Sequence, residues 1–256
     1  MLILKIDKYG KYVIIVNGDD KMTKKVKQKS WLLPFIGLGA FITYFILSEI
    51  EGLPFQLLNI DTSQMPTWIK IVYMIAYEIV FMAIIAFIFR KKLKNDFQEI
   101  KKKHKDYYTD CFKYWLLGIA IMMVSNVIIS MINNGNIANN EETIRQMMNI
   151  SPIYIFFSAV LFAPLVEELV FRQGFRFIFS NNILFIFMSA FVFGGLHVFA
   201  SMESLVDLLY IIPYGAPGAV FAYMLVKTDN IFVPMGFHFM HNGILVALQI
   251  LLLFLA

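Results

Sequence analysis

From residue 31 onward the chain keeps returning to apolar runs of about 20 residues, with no long polar break between them. As a helix, a run of that length crosses the hydrocarbon of a bilayer. Lipid offers no hydrogen bonds, so a spanning backbone must satisfy its own polar groups, and an α-helix does so within one segment. The expected fold is therefore all-α, a polytopic transmembrane helical bundle. Its seven spans fall at roughly 31–50, 68–90, 112–132, 152–179, 183–201, 205–227 and 231–256. Composition agrees: of 256 residues, 59% are hydrophobic and 16% charged, against about half and a quarter in soluble domains. The domain reading is a polar, Lys-rich segment at 1–30 followed by one transmembrane domain at 31–256.

Basic residues orient the spans. Lysines crowd ahead of the first span and again from Arg90 through Lys105 to Lys113, whereas 51–67 has no Lys or Arg and 133–151 has only Arg145. By the positive-inside rule the N-terminus is cytoplasmic, and a seventh span leaves the C-terminus outside. The expected location is the plasma membrane. The net charge of +4 comes from these clusters, so no nucleic-acid partner is expected. The linker KKLKNDFQEIKKKHKDYYTD at 91–110 reads as a short amphipathic segment, a solvated cytoplasmic loop. NNGNIANNEE at 133–142 reads as a turn-rich outer loop. Leu2 to Val16 is β-like and reads as a small hairpin, with Asn17-Gly18 as a candidate turn; Met22 is an alternative chain start. No cleavable signal peptide is visible. The single cysteine, Cys111, reads as a packing residue.

A charge inside a span is costly unless it is paired, hydrated or functional. In the later spans such groups are few: Glu167, Glu168, Arg172, Arg176, His197, His238 and His241. Glu78 lies in the second span, where a hydroxyl or backbone group is the expected partner. Glu168 and Arg172 are four apart and share a helix face, while Glu167 is turned about 100° away. One acid can hold the arginine and leave the other free to face the bundle. Alternatively, both acids pair with Arg172 and Arg176 at a wet helix end. His197 sits in FVFGGLHVF, where Gly194 and Gly195 permit close helix approach; alone, it reads as a core histidine. His238 and Asn242, in HFMHN, share a face, and His241 is turned elsewhere and reads as a bystander. At 1.5 Å per residue from the cytoplasmic helix ends, Glu167 lies about 18 Å deep, His197 about 21 Å, Asn242 about 17 Å and His238 about 11 Å.

A carboxylate beside an imidazole can hold a water and accept its proton during attack on a carbonyl. A second imidazole and an amide N–H can stabilise the oxyanion that forms. Glu167, His197 and His238 are also donors of the type that hold a divalent metal such as zinc. Neither an HExxH motif nor a G-x-S-x-G elbow is present. The order EELVFR, FGGLH, HFMHN, each in its own late span, resembles the CPBP family of intramembrane proteases, which includes eukaryotic CAAX prenyl endopeptidases and bacterial Abi-type proteins. The family signatures EExxxR, FxxxH and HxxxN/D match as Glu167-Glu168-Arg172, Phe193-His197 and His238-Asn242, within a protease-like core at about 152–250.

The resemblance implies that Glu167 is the catalytic carboxylate, with His197 its partner in activating water. His238 and Asn242 would stabilise the oxyanion, and Glu168 and Arg172 would support the site. It leaves two chemistries open, glutamate-dependent with no cofactor or metal-dependent. The implied activity is hydrolysis of a peptide bond in a membrane-associated protein or peptide, expected near the cytoplasmic half of the bilayer. Pro164, Pro213, Gly215, Pro217 and Gly218 would open helices around a cavity. Short loops and the lysine pattern suit a bacterial membrane, where the resemblance implies processing of bacteriocin or signalling-peptide precursors, or self-immunity. The rival reading is a non-catalytic membrane scaffold or immunity protein. A proton-coupled transporter is a weaker third, since the spans show no two-half symmetry.

Overall fold

A computed structural model describes residues 2–6, 12–16 and 31–255. Strands β1 (Leu2–Ile6) and β2 (Tyr12–Val16) pair antiparallel, with Leu2 opposite Val16 and Ile6 opposite Tyr12. The β-like reading is borne out over these two strands. Asn17, Gly18 and Met22 lie outside the described residues. The hairpin belongs to a unit of its own, and the helices form the second unit.

That second unit is a helical membrane bundle. Among the described residues six helices are long and apolar enough to cross a bilayer, and α1 (Leu33–Glu49) is a shorter apolar one. The connection after α1 carries a single turn of helix, α2 (Leu53–Leu57), before α3 (Thr67–Ile88). Next comes α4 (Arg90–Ile132), 43 residues without interruption. The 91–110 stretch is thus no loop but the first half of the third spanning helix. Lys, Glu and Gln favour helix, and no Pro or Gly occurs between Arg90 and Gly118 to break it. It is also docked. Asp96 Oδ2 accepts the backbone N–H of Ile231 at 2.9 Å, and the Asn230 side chain donates to the Asp96 carbonyl at 2.9 Å. Lys92 bridges Asp96 at 3.0 Å and Asp229 at 3.3 Å.

The loop at 133–142 is also shorter than expected. Asn134 (φ 55°) and Gly135 (φ 88°) make the turn in the left-handed region, and Asn139 already begins α5 (Asn139–Ile150). Glu141 and Glu142 sit in its first turn, where the helix dipole favours acids. Ser151 then caps α6 (Pro152–Ile178), accepting the N–H of Tyr154 at 3.2 Å, with Pro152 at the first helical position. Asn181 caps α7 (Asn182–Phe199), accepting the N–H of Leu184 at 3.0 Å. A 3₁₀ turn (Leu205–Tyr210) leads into α8 (Ile211–Thr228), and α9 (Phe232–Leu255) closes the chain.

Two contacts set the spacing of the helices around the site. A Cβ on Gly194 of α7 would lie 2.7 Å from the Ile211 carbonyl oxygen and 3.0 Å from Gly215 N, so only glycine lets α7 and α8 meet this closely. Gly195 plays no such part: a Cβ there would meet the Phe199 ring of its own helix. On the other side of α8, Trp115 and Cys111 of α4 pack with Phe221 and Met224 of α8 and Phe237 of α9. Cys111 is a packing residue, as expected. Phe187, Phe191, Leu248 and Leu252 are exposed, as side chains facing lipid are.

Candidate active site

The site begins with a fault in α6. Pro164 has no N–H, so it cannot continue the helical ladder behind it. Residues Phe156–Phe162 are wound as a wider π-helix, and the N–H of Ala163 reaches back five residues to the Ser158 carbonyl. In that register the Ala159 carbonyl should receive the N–H of residue 164, which proline lacks. Asn242 of α9 fills the vacancy: its side-chain amide donates to the Ala159 oxygen at 2.8 Å. A second π-helical stretch, Glu168–Gly174, follows. There Ser189 of α7 donates its hydroxyl to the Phe171 carbonyl at 2.8 Å. Each widened turn is thus satisfied from a neighbouring helix. Glu167 ends the α-helical turn between them (Ala163–Glu167) and Glu168 opens the second, and π-turns of this kind recur at functional sites.

The two acids have different surroundings. Glu168 is fully buried, and its Oε1 lies 3.3 Å from Arg172 and 2.9 Å from Nδ1 of His238. Arg172 is also fully buried, with its guanidinium 4.2 Å above the centroid of the Phe193 ring. Its contact with Glu168 is an ion pair without hydrogen-bond geometry. The alternative in which both acids pair with both arginines does not occur, because Arg176 points instead to the Ser180 carbonyl at 3.4 Å. The Glu167 side chain is 15% exposed, and its Oε2 lies 3.8 Å from Nε2 of His238. That is too long for a direct hydrogen bond and leaves room for an atom bridging the two. His238 therefore stands between the carboxylates, its ring stacked on Phe221 at 5.1 Å. Sequence spacing separated the two acids correctly but said nothing of this histidine clamp.

His197 joins the site from another wall. Its Nδ1 lies 2.9 Å from the Phe193 carbonyl four residues back. Since the carbonyl can only accept, Nδ1 donates, and Nε2 is left for the site. The ring stacks on Tyr214 of α8 at 4.8 Å. One cavity of about 580 Å³ is lined by Glu167, His197, His238, His241 and Asn242. Glu168 and Arg172 are not in its wall. His241 is, so it is no bystander facing away: it is buried and borders the same space. The prolines expected to open the sixth span do not break it, since α8 runs unbroken from Ile211 to Thr228, but Pro213 and Pro217 line the cavity. Glu78 behaves as anticipated, with the hydroxyls of Ser158 (2.6 Å) and Tyr154 (3.1 Å) donating to its Oε1.

The donors do not fit a metal ion as arranged. Among the described residues no three His, Cys, Asp or Glu side chains are grouped to hold one. His238 spends Nδ1 on Glu168, and His197 does not close with Glu167 and His238 into a ligand set. Sequence reasoning missed other polar groups that line the same cavity, notably Asn126 and Ser130 on α4, Tyr214 on α8 and Gln249 on α9. The i,i+4 spacing of Asn126 and Ser130 in an apolar span was a signal that could have found them.

Comparison with known proteins finds similarity over the same stretch of chain. Residues 149–244 match the family model described as Type II CAAX prenyl endopeptidase Rce1-like. The chain is 28% identical over 229 residues to the membrane-embedded CAAX protease MroQ of Staphylococcus aureus (strain USA300), covering 82% of this chain and 87% of that one. It is 29% identical over 140 residues to the UPF0177 protein YvdC of Lactococcus lactis subsp. lactis (strain IL1403), covering 52% of each. The match thus spans about half the length of YvdC. No solved structure matches the chain.

Proposed function

We propose, from the match of residues 149–244 to the Rce1-like CAAX prenyl endopeptidase model, that the chain is an intramembrane endopeptidase hydrolysing a peptide bond in a membrane-associated peptide or protein. The observation that carries this reading is the sorting of side chains about one cavity. Glu167, His197, His238 and Asn242 border it, while the Glu168–Arg172 pair is sealed behind His238.

In this mechanism Glu167 Oε2 takes a proton from a water as its oxygen attacks the scissile carbonyl, and later returns it to the departing amine. With its Nδ1 proton tied to the Phe193 carbonyl, His197 offers Nε2 as a second acceptor that orients the water. The developing oxyanion is met by the second N–H of Asn242 and by His238 when its Nε2 bears a proton. Glu168 holds that ring by Nδ1, so it cannot turn away.

The working location is a bacterial plasma membrane with the lysine-rich face in the cytoplasm, and the substrate class is the precursors of bacteriocins or signalling peptides. The test compares membrane and secreted peptides from cells expressing wild-type or Glu167→Gln protein at equal abundance. A precursor that accumulates only with Glu167→Gln is expected. An unchanged peptide profile, with the cellular phenotype also kept by His197→Ala, would favour the scaffold or immunity reading instead.

A further inference from the structure

The cavity is lined unevenly along the bundle axis. From α4 it takes Met122, Asn126 and Ser130, four residues apart on one face of the half remote from the lysines. α5 adds Asn140, Glu141 and Arg145, and α9 adds a stripe from His238 to Gln249. No lining residue comes from the lysine-rich stretch Arg90–Lys113 or from the Asp229–Asn230 turn docked against it. The space therefore runs from the catalytic depth away from the lysine-rich end. This differs from the expected approach through the cytoplasmic half.

Polar groups mark the route. Asn126 and Ser130 lie in an apolar span, where such side chains call for a partner or a function. At the far end Glu141 is held by Arg145 at 2.9 Å and by Gln249 at 2.8 Å. Asn140 donates to the Tyr214 hydroxyl at 3.3 Å, and the Tyr214 ring stacks on His197, so the outer helix is coupled to a catalytic side chain. From His238 to Gln249 the stripe rises about 16 Å. An extended chain advances about 3.3 Å per residue, so the track accommodates about five residues. Amides and hydroxyls both donate and accept, which matches the exposed N–H and C=O groups of an extended backbone.

We propose that this track is the substrate entrance: an extended peptide reaches Glu167 from the face opposite the lysine-rich end, which the positive-inside rule makes the extracytoplasmic face. The proposal rests on the protease reading and narrows its substrates to peptides, or peptide ends, already presented on the outer side of the membrane. Asn126 and Ser130 are then binding residues for substrate backbone.

Accessibility tests it without turnover. In the full chain carrying Cys111→Ser, the variants Asn126→Cys and the nearly isosteric Ser130→Cys are treated with a membrane-impermeant maleimide in right-side-out and in inverted vesicles. Lys101→Cys marks the opposite face. Both track variants are expected to label in right-side-out vesicles and not in inverted ones, with Lys101→Cys the reverse. Labelling of the track from the inverted side, or from neither side, overturns the entrance. Since labelling needs no catalysis, it can fail while the Glu167→Gln comparison succeeds, or the reverse.

Discussion

Glu167 and Glu168 are adjacent in the chain yet answer to different constraints. Glu168 is sealed between a buried guanidinium and an imidazole, so removing one partner leaves an uncompensated charge, at a cost of about 3–5 kcal/mol. Arg172 additionally loses its place on the Phe193 ring, worth up to about 2 kcal/mol when desolvated. Arg172→Ala is accordingly expected to reduce the amount of folded protein in the membrane, read by detergent-solubilised yield and thermal unfolding. Glu167→Gln should leave that yield unchanged and lower turnover by about 100-fold or more. If both substitutions reduced yield equally, Glu167 would be structural. The histidines divide similarly. His238→Ala removes the hydrogen bond to Glu168 and a group facing Glu167, so yield and turnover should both fall. His241 is buried but does not hold Glu168, so His241→Ala should lower yield and turnover less than His238→Ala; an equal collapse of the two variants would give His241 an equal part in the site.

At the scale of elements, α6 and α9 are coupled through a missing hydrogen. Asn242→Ala leaves the buried Ala159 carbonyl unsatisfied, at about 1–3 kcal/mol. Pro164→Ala restores the N–H that this carbonyl lacks. The double variant should therefore unfold at a higher temperature than the sum of the single effects predicts, because residues sharing a partner are not additive. Strict additivity in thermal unfolding would show that Asn242 does not serve the gap left by proline. A disturbance of the helix at Pro164 was legible from sequence, and so was the Glu168–Arg172 pair, since both depend on local spacing. The π-helical winding was not, because it is stable only where Asn242 and Ser189, 83 and 18 residues onward, reach the freed carbonyls.

At the scale of the molecule, the helices from α4 to α9 border one cavity in an otherwise apolar bundle, and the chemistry depends on what that space admits. With no three donors grouped for an ion among the described residues, a chelator should leave hydrolysis of an identified precursor unchanged. Loss of activity restored by added zinc would mean that Glu167, His197 and His238 close around a metal during the reaction. The continuous α4 matters at this scale too. Its lysine-rich half, expected as a loop, is pinned to the α8–α9 turn by Asp96 and Lys92 and so supports the helix that carries His238 and Asn242.

By itself the sequence determined that the chain crosses a membrane, which end is basic, and which handful of buried ionisable residues needed a reason to be there. Those are consequences of composition and of neighbours within one or two helical turns, where the cost of an unpaired charge in lipid is already decisive. Only the tertiary structure decided that His238 lies between the two glutamates and that Asn242 answers Pro164. It also decided that His241 borders the cavity and that the cavity leads away from the lysines. Each of these is a meeting of side chains from separate helices, governed by how closely Gly194 and Gly215 let those helices approach and by how far α6 unwinds.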